Sequence, residues 1–561
     1  MTARDVPVLI VGGGPVGLSM SICLSRLGIE SLLVERHPRT TDHPKATVVN
    51  TRTMELFRLW GVEEAVRKGA VPAARMRCIV WATTLAGHEI GRLEVGEDMQ
   101  RLAAGGTLSP TLQQICAQDI VEPALLDVAR SSEIAAAEFA TAMERFESTD
   151  RGVSAVVRRG EDEQSVTARY LVAADGASSP IRNALGIDLL GERHLGRLLN
   201  IHVRCDVRSL IDDRPGPLYW IVNPDAPGVF IALNGTDRWL FNTPMPEDGD
   251  HSSARCAELV RRAVGRSDLE IDVVAALPWN AASLVAATYR HGPCFLVGDA
   301  AHQFPPTGGH GMNSGIQDAH NLAWKLAAVL RGEAGDALLD TYEEERRPVA
   351  QRYADESVRN ARGQQGAGRS IPAEVEHESD EGRAIRELIA STIPAQRGHF
   401  VSPGLQLGFG YRSRAVIDDG PEATDVDDPP VTSYRPVAAP GRRAPHAWLT
   451  STADGSRCSV LDLVDGCFTL ITVDPADPLV ALAPPLGVRV LVVDTAGGYL
   501  DSDGQFAEAY GLEHGDALLV RPDGFVAWRA SAGTDSIPLA HVLRSILASD
   551  GPSGSAPQER S

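Results

Sequence analysis

Residues 6–11, VPVLIV, form an unbroken apolar run, which predicts a strand buried on both faces. A glycine loop follows, then PVGLSMSICLSRLG, whose dense apolar positions predict a packed helix. SLLVE at 31–35 predicts a second strand, so the segment reads as a βαβ unit of a parallel sheet. The polar stretch RHPRTTDHPKATVVN is a loop, and a helix begins near TRTMELFRLWGV. Between about 190 and 285 the pattern changes to short runs separated by turn residues: NIHVRCDV, LYWIVNP, GVFIALNG and RWLFNTP. These predict an antiparallel layer. CFLVGD at 294–299 returns to a buried strand, and helical periodicity then runs to about residue 362. GQQGAGRSIPAEVEHESDEGR reads as an exposed connection. From about residue 440 strands are expected at 459–473, 488–494 and 517–529, with a helix at 537–548. The closing DGPSGSAPQERS has the composition of a disordered tail.

This pattern divides the chain into a βαβ-containing part at 1–188, an antiparallel-sheet part at 189–285 and a part with long helices at 286–400. A linker at 401–440, a small α/β domain at 441–550 and a tail at 551–561 complete it. The fold class is α/β, with a Rossmann-like domain interleaved with an antiparallel sheet.

Composition narrows the function. Of 561 residues, 43% are hydrophobic and 23% charged, ordinary values for a globular protein. The net charge of −21 argues against nucleic acid and anionic membranes as partners. The eight cysteines include no C-x-x-C pair, so they read as reduced core residues rather than disulfides or zinc ligands. No H-E-x-x-H motif or close Cys/His cluster occurs, and no metal site is expected. No G-x-S-x-G elbow supports hydrolase chemistry. The amino terminus lacks a signal-peptide pattern and no 18-residue apolar run occurs, so a cytoplasmic protein is expected.

Gly12-x-Gly14-x-x-Gly17 lies between the first strand and helix, with Glu35 closing the next strand. Glycines there permit a tight turn and close approach to a pyrophosphate, the helix N-terminus offers free N–H groups, and Glu35 would accept from a ribose diol. The motif alone does not separate FAD from NAD(P). A second glycine-rich loop, GDAAHQFPPTGGHGMNSGIQDAHNLAWKL at 298–326, bears on that question. Asp299 at a strand tip suits a sugar-like polyol, and a helix starting near Asn313 would aim N–H groups at an anion. Gly308, Gly309 and Gly311 let backbone lie flat against a ring, and Pro305 and Pro306 stiffen the approach. A flavin needs both loops.

With YEEERRPVA following it, that loop resembles the FAD-dependent aromatic hydroxylases of the p-hydroxybenzoate hydroxylase type, the class A flavoprotein monooxygenases. The resemblance covers about residues 5–400 and implies that 1–188 and 286–400 are the two parts of a nucleotide-binding, FAD-holding domain and that 189–285 is the substrate-binding one. The carboxy-terminal domain, thioredoxin-like in appearance, is similar to that of the phenol, dichlorophenol and polyketide hydroxylase branch. The resemblance implies that Gly12, Gly14 and Gly17, with Pro15 and Val16 between them, hold the pyrophosphate, and that Glu35 and Arg36 hold the adenosine. It further implies that Gln118 contacts FAD near the ribityl phosphate, and that Asp175 in ADGASSPIR serves FAD and NAD(P)H. Asp299 would contact the ribityl chain, and Pro306 with the backbone of Gly311, Met312 and Asn313 would cradle the flavin ring. Lys45 stands where the family usually has arginine, replacing a two-pronged phosphate donor with a point charge.

Other features have plainer readings. His302 and His310 flank the loop; a catalytic base is one reading of them and a structural histidine the commoner one, and His302 reads as a packing and hydrogen-bonding residue. Asp318 reads as a solvated or paired helix-face acid, and YEEERRP as a solvated face with i,i+4 ion pairs. Without C-x-x-C the carboxy-terminal domain reads as a structural or oligomer-contact unit, and a dimer or higher homo-oligomer is expected.

By the resemblance Ile221, Ile231 and Leu233 turn toward a substrate pocket that Pro306 also lines, apolar where benzoate-type enzymes grip a carboxylate. A slip of one residue would put Trp220 and Val222 there instead. The resemblance implies an enzyme that consumes NADPH or NADH and O₂ and hydroxylates a phenolic, polyketide or heteroaromatic ring through a flavin C4a-hydroperoxide, in natural-product tailoring or phenol catabolism. No catalytic base is named. The alternatives are an FAD-linked oxidase or dehydrogenase, and a flavoprotein that only binds and stabilises an aromatic intermediate.

Overall fold

The computed structural model of the chain describes residues 3–96, 108–368, 371–417, 430–494, 498–531 and 538–548. The apolar run at its start becomes the middle of a parallel sheet. β1 (Ala3–Val11) pairs with β2 (Ser31–Glu35) on one side and with Asp162–Ala173 on the other. Ala135–Phe139 and Cys294–Leu296 extend the parallel set outward. Val8, Leu9 and Ile10 are wholly buried in a core that takes side chains from helices and from the strand Gly152–Arg159, which is why the run does not alternate. α1 (Pro15–Arg26) and α2 (Gln118–Arg130) pack on one side with α3 (Gly311–Leu330).

The second large sheet has the strand order 302–303, 272–286, 189–204, 238–244, 228–232, 218–221, 78–82 and 89–94. All neighbours are antiparallel except Leu218–Ile221 with Cys78–Ala82. The sheet therefore takes two strands from the segment read as nucleotide-binding and one from the second glycine loop. CIVWA is too short for its alternation to show which sheet it joins.

The helix after the second glycine loop starts at Gly311, two residues before the expected Asn313, with His310 as its N-cap. α4 (Thr341–Gly368) runs past the expected end near 362 and holds Pro348 inside it. Its YEEERRP run is not a solvated face. Glu345 and Arg346 are 1% and 0% exposed, because α4 is wedged against α3 and the carboxy-terminal part. Their counter-ions come from residues 318 and 521, beyond the reach of i,i+4 counting. The 401–440 stretch, read as a linker, buries Leu405, Leu407, Phe409 and Tyr411.

Beyond it a four-stranded sheet has the order Arg489–Val492, Thr469–Thr472, Ala517–Val520, Val526–Ala530, the first pair parallel and the others antiparallel. This is the 2-1-3-4 order of a thioredoxin-like core, closed by the helix Leu539–Ile546. The strand expected at 459–473 is broken by the turn Val460–Leu463, which Ser459 and Asp462 fix through a capping box.

Candidate active site

The two large sheets and the second glycine loop enclose a cavity of about 1410 Å³. A single small ligand usually occupies ~300–1,000 Å³, so the space suits a dinucleotide together with a second molecule.

At the parallel-sheet end, Gly12 takes a φ of +114°, and a Cβ there would lie 2.2 Å from the Ala174 carbonyl oxygen. A Cβ on Gly17 would lie 1.9 Å from the Gly12 carbonyl oxygen. Gly17 does not line the cavity; it lets α1 close onto the loop. Gly12, Gly14, Pro15 and Val16 do line it, and no side chain caps the first turn of α1. Those N–H groups are open to an anion. Glu35 Oε2 accepts from Gly13 N at 2.7 Å and Oε1 from His37 N at 2.8 Å, which fixes the carboxylate at the cavity edge. Arg36 lines the cavity beside it.

Gln118, at the first turn of α2, donates from Nε2 to Glu122 Oε1 at 2.6 Å. Glu122 Oε2 accepts from Thr41 N at 2.7 Å, and burial raises the Glu122 pKa. Glu122 thus orients Gln118, a role sequence reading missed. Asp175 accepts from Ile181 N at 3.2 Å through Oδ2, while Oδ1 is buried with no partner among the described residues. Burial raises its pKa too. Asp299 sits on the turn Gly298–Ala300 and opens onto the cavity rather than onto bulk water. Its pKa is raised, chiefly by desolvation, with His302 and Lys45 pulling the other way. Lys45 lines the cavity, so a positive charge persists where the two-pronged donor is absent.

Pro306, Gly308, Gly309, Gly311 and Met312 line the wall beside Asp299. Gly309 has a φ of +67°, and a Cβ there would strike Val48 at 2.6 Å, so the loop lies flush against that strand. Asn313 does not line the cavity. Its Oδ1 accepts from Asn50 N at 2.9 Å and its Nδ2 donates to the Val48 and Gly309 carbonyls, stapling the loop. His302, fully buried, bonds Asp318 at 2.7 Å and stacks on Phe304. Asp318 also accepts from Gly298 N at 3.2 Å and from Arg346 Nε at 2.8 Å, so it clamps the turn that presents Asp299.

Opposite stands the antiparallel sheet. Leu218, Trp220, Val229, Ile231, Leu240, Asn242 and Asn200 face the cavity. Ile231 is where expected, but Ile221 is not: it is 3% exposed in the core on the other face. Leu233 lies beyond the strand's last residue, Ala232, and packs with Ala117 and Leu240. The pairings Leu218↔Ile231 and Trp220↔Val229 fix the alternation, and the slipped register places Trp220, not Val222, in the wall. His43, His310 and His399 also line the cavity. Burial pushes their pKa values down to about 4, 4 and 3, so they are neutral imidazoles at pH 7.

Residues 5–357 match the family model described as "FAD binding domain", and residues 437–549 match "Aromatic-ring hydroxylase, C-terminal". The chain belongs to the FAD-dependent aromatic-ring hydroxylases. Within that family it is 39% identical to a putative polyketide hydroxylase of Streptomyces halstedii, over 97% of this chain and 98% of the relative. It is 38% identical to the tetracenomycin A2 monooxygenase-dioxygenase of Streptomyces glaucescens, over 94% of each. The crystal structure of the flavin-dependent monooxygenase PieE with FAD and substrate superposes with a TM-score of 0.89 at 34% identity, covering 98% of this chain and 100% of that one.

This hydroxylase uses FAD, with NAD(P)H and O₂ as co-substrates. The open first turn of α1, the glycine cradle at residues 12 and 17, the unpartnered Asp175 Oδ1 and the Asp299 carboxylate all fit a flavin dinucleotide. Bound FAD supplies the redox and oxygen-transfer chemistry; the chain positions, polarises and dries the site. The open N-terminus of α3 places partial positive charge beside Pro306 and Met312, where anionic charge on a ring system is stabilised. The apolar sheet opposite excludes water from that face.

Proposed function

We propose that this hydroxylase acts on a fused, uncharged polyketide-type aromatic ring in natural-product tailoring. The observation that carries the proposal is the cavity wall. Among the described residues, none that the antiparallel sheet contributes to the lining is charged, and Trp220, Trp279, Leu218 and Leu277 give it a broad apolar surface. A carboxylate substrate would meet no cation there, whereas a flat neutral ring would bury its faces against indole and aliphatic side chains. The relatives named as a putative polyketide hydroxylase and a tetracenomycin A2 monooxygenase-dioxygenase support the same reading.

The test is NADPH oxidation by the yellow protein, with NADH in parallel, in the presence of a tricyclic hydroxyanthraquinone or of dichlorophenol. Stimulation by the tricycle, with one oxygen atom added to it, is expected. Turnover of the simple phenol alone would overturn the fused-ring reading.

A further inference from the structure

One row of residues crosses the cavity face of the antiparallel sheet through five successive pairings. Trp81 pairs with Trp220, Trp220 with Val229, Val229 with Asn242, Asn242 with Asn200, and Asn200 with Leu277. The row is apolar at both ends and carries two carboxamides side by side in its middle. The neighbouring row, Ile79, Leu218, Ile231 and Leu240, is apolar until it reaches His202. Asn200 and Asn242 both line the cavity, and Asn200 is 7% exposed. The side-chain oxygen of each is enclosed and has no hydrogen-bond partner among the described residues. A strand position facing an apolar cavity favours a β-branched or aromatic residue, and asparagine is disfavoured in strands. Two of them in register, each with an unmatched oxygen, are therefore unexplained by folding.

We infer that Asn200 and Asn242 form a clamp for a hydroxyl group on the aromatic substrate. The inference rests on the reading of the cavity as a ring-hydroxylase substrate pocket and specifies what that pocket recognises. A carboxamide presents either its oxygen or its NH₂ by turning about its last torsion. Two adjacent carboxamides, one turned each way, match a hydroxyl, which donates to the oxygen and accepts from the NH₂. A methyl ether satisfies half of the pair and a bare hydrocarbon none. A carboxylate would accept from both but would leave its charge without a counter-ion on this wall. The clamp thus selects a neutral phenol and fixes which ring edge lies against the sheet. The Trp279 indole lies two residues along from Leu277 and also has an unpartnered N–H, a third donor beside the clamp.

The test uses oxidised, FAD-loaded full-length protein and three probes: beta-naphthol, its methyl ether and naphthalene. Binding is read from perturbation of the flavin visible spectrum, so no turnover is needed. Wild-type protein is expected to bind naphthol roughly tenfold or more tighter than naphthalene, with the ether between them. Asn200→Leu and Asn242→Leu should each reduce that preference while leaving naphthalene affinity within about twofold, which also shows that the wall is intact. Equal wild-type affinity for naphthol and naphthalene would overturn the clamp. So would no naphthol binding, a preference retained in both variants, or equal loss of both ligands from both variants. Failure of the tailoring reading appears elsewhere, as absence of hydroxyanthraquinone-stimulated NADPH oxidation, and leaves this binding result standing.

Discussion

Glu345 on α4 and Arg521 in the carboxy-terminal sheet region form a two-pronged ion pair, at 2.6 and 2.9 Å, with both side chains wholly enclosed. Lys325 Nζ joins at 2.8 Å, and Arg521 also bonds Asp523. The neighbouring residue, Arg346, reaches the other way to Asp318, which holds the Gly298 amide and His302. Two consecutive residues of one helix therefore connect the carboxy-terminal part to the turn that carries Asp299. Replacing Arg521 by Met leaves Glu345 and Asp523 buried with less compensation. Removing one partner of a buried pair costs ~3–5 kcal/mol, and Arg521→Met should unfold at correspondingly lower urea concentration and purify with less flavin.

Gly17→Ala should yield protein without flavin. The added methyl would sit 1.9 Å from the Gly12 carbonyl oxygen, and neither backbone segment can retreat without opening the loop onto α1. The ratio of visible to ultraviolet absorbance after purification measures it. Full flavin content in this variant would refute the close packing described.

Trp220 and Ile221 are adjacent but face opposite ways, so their truncations should separate. Ile221→Ala removes a core side chain and should cost ~2–5 kcal/mol in denaturant unfolding. Trp220→Ala should cost less in unfolding, since that ring is half-buried at the cavity wall, but raise KM for the ring substrate and divert reducing equivalents to hydrogen peroxide. Reversal of the two phenotypes would mean the strand is in the other register.

Stability should fall as the pH is lowered from about 6.5 toward 4. His43 and His310 have their pKa values pushed down to about 4 by burial, below the ordinary histidine value of about 6.5. In that window the unfolded chain takes up protons that the native chain refuses, so unfolding is favoured as pH drops. Above pH 6.5 these groups contribute no slope. His310→Phe keeps a ring stacked on Tyr353 and should flatten the pH dependence of the urea midpoint between pH 6.5 and 4.

Sequence alone exposed what is local. The βαβ unit, both glycine loops and the alternation of the antiparallel layer depend on neighbours within a few residues, and Asp175, Asp299 and Gln118 come to the cavity with them. Residues set by distant contacts were hidden. Asn313 looked like a ring contact but serves the loop through Asn50 and Val48. Ile221 and Trp220 could not be told apart, since a strand reads equally well in either register until its partners are known. Asn200, Asn242, Glu122 and His43 belong to no local motif; an asparagine in an otherwise apolar strand was the signal available for the first two. The charges of YEEERRP looked like a solvated surface because their partners lie 28 and 176 residues away.

The Glu345–Arg521 pair also bears on biosynthesis. A chain emerging from the ribosome completes its nucleotide loops, both large sheets and α4 well before Arg521 is made. Until then Glu345 has Lys325 and Asn321 beside it, but not the guanidinium that later encloses it. Domains usually fold as they emerge, but here the helix behind Asp318 and Asp299 acquires its last counter-ion from a residue 176 positions further along the chain. Closure of the flavin site is thereby tied to synthesis of the segment around Arg521, and a product that stops short of it is expected to carry an unclosed, flavin-poor pocket.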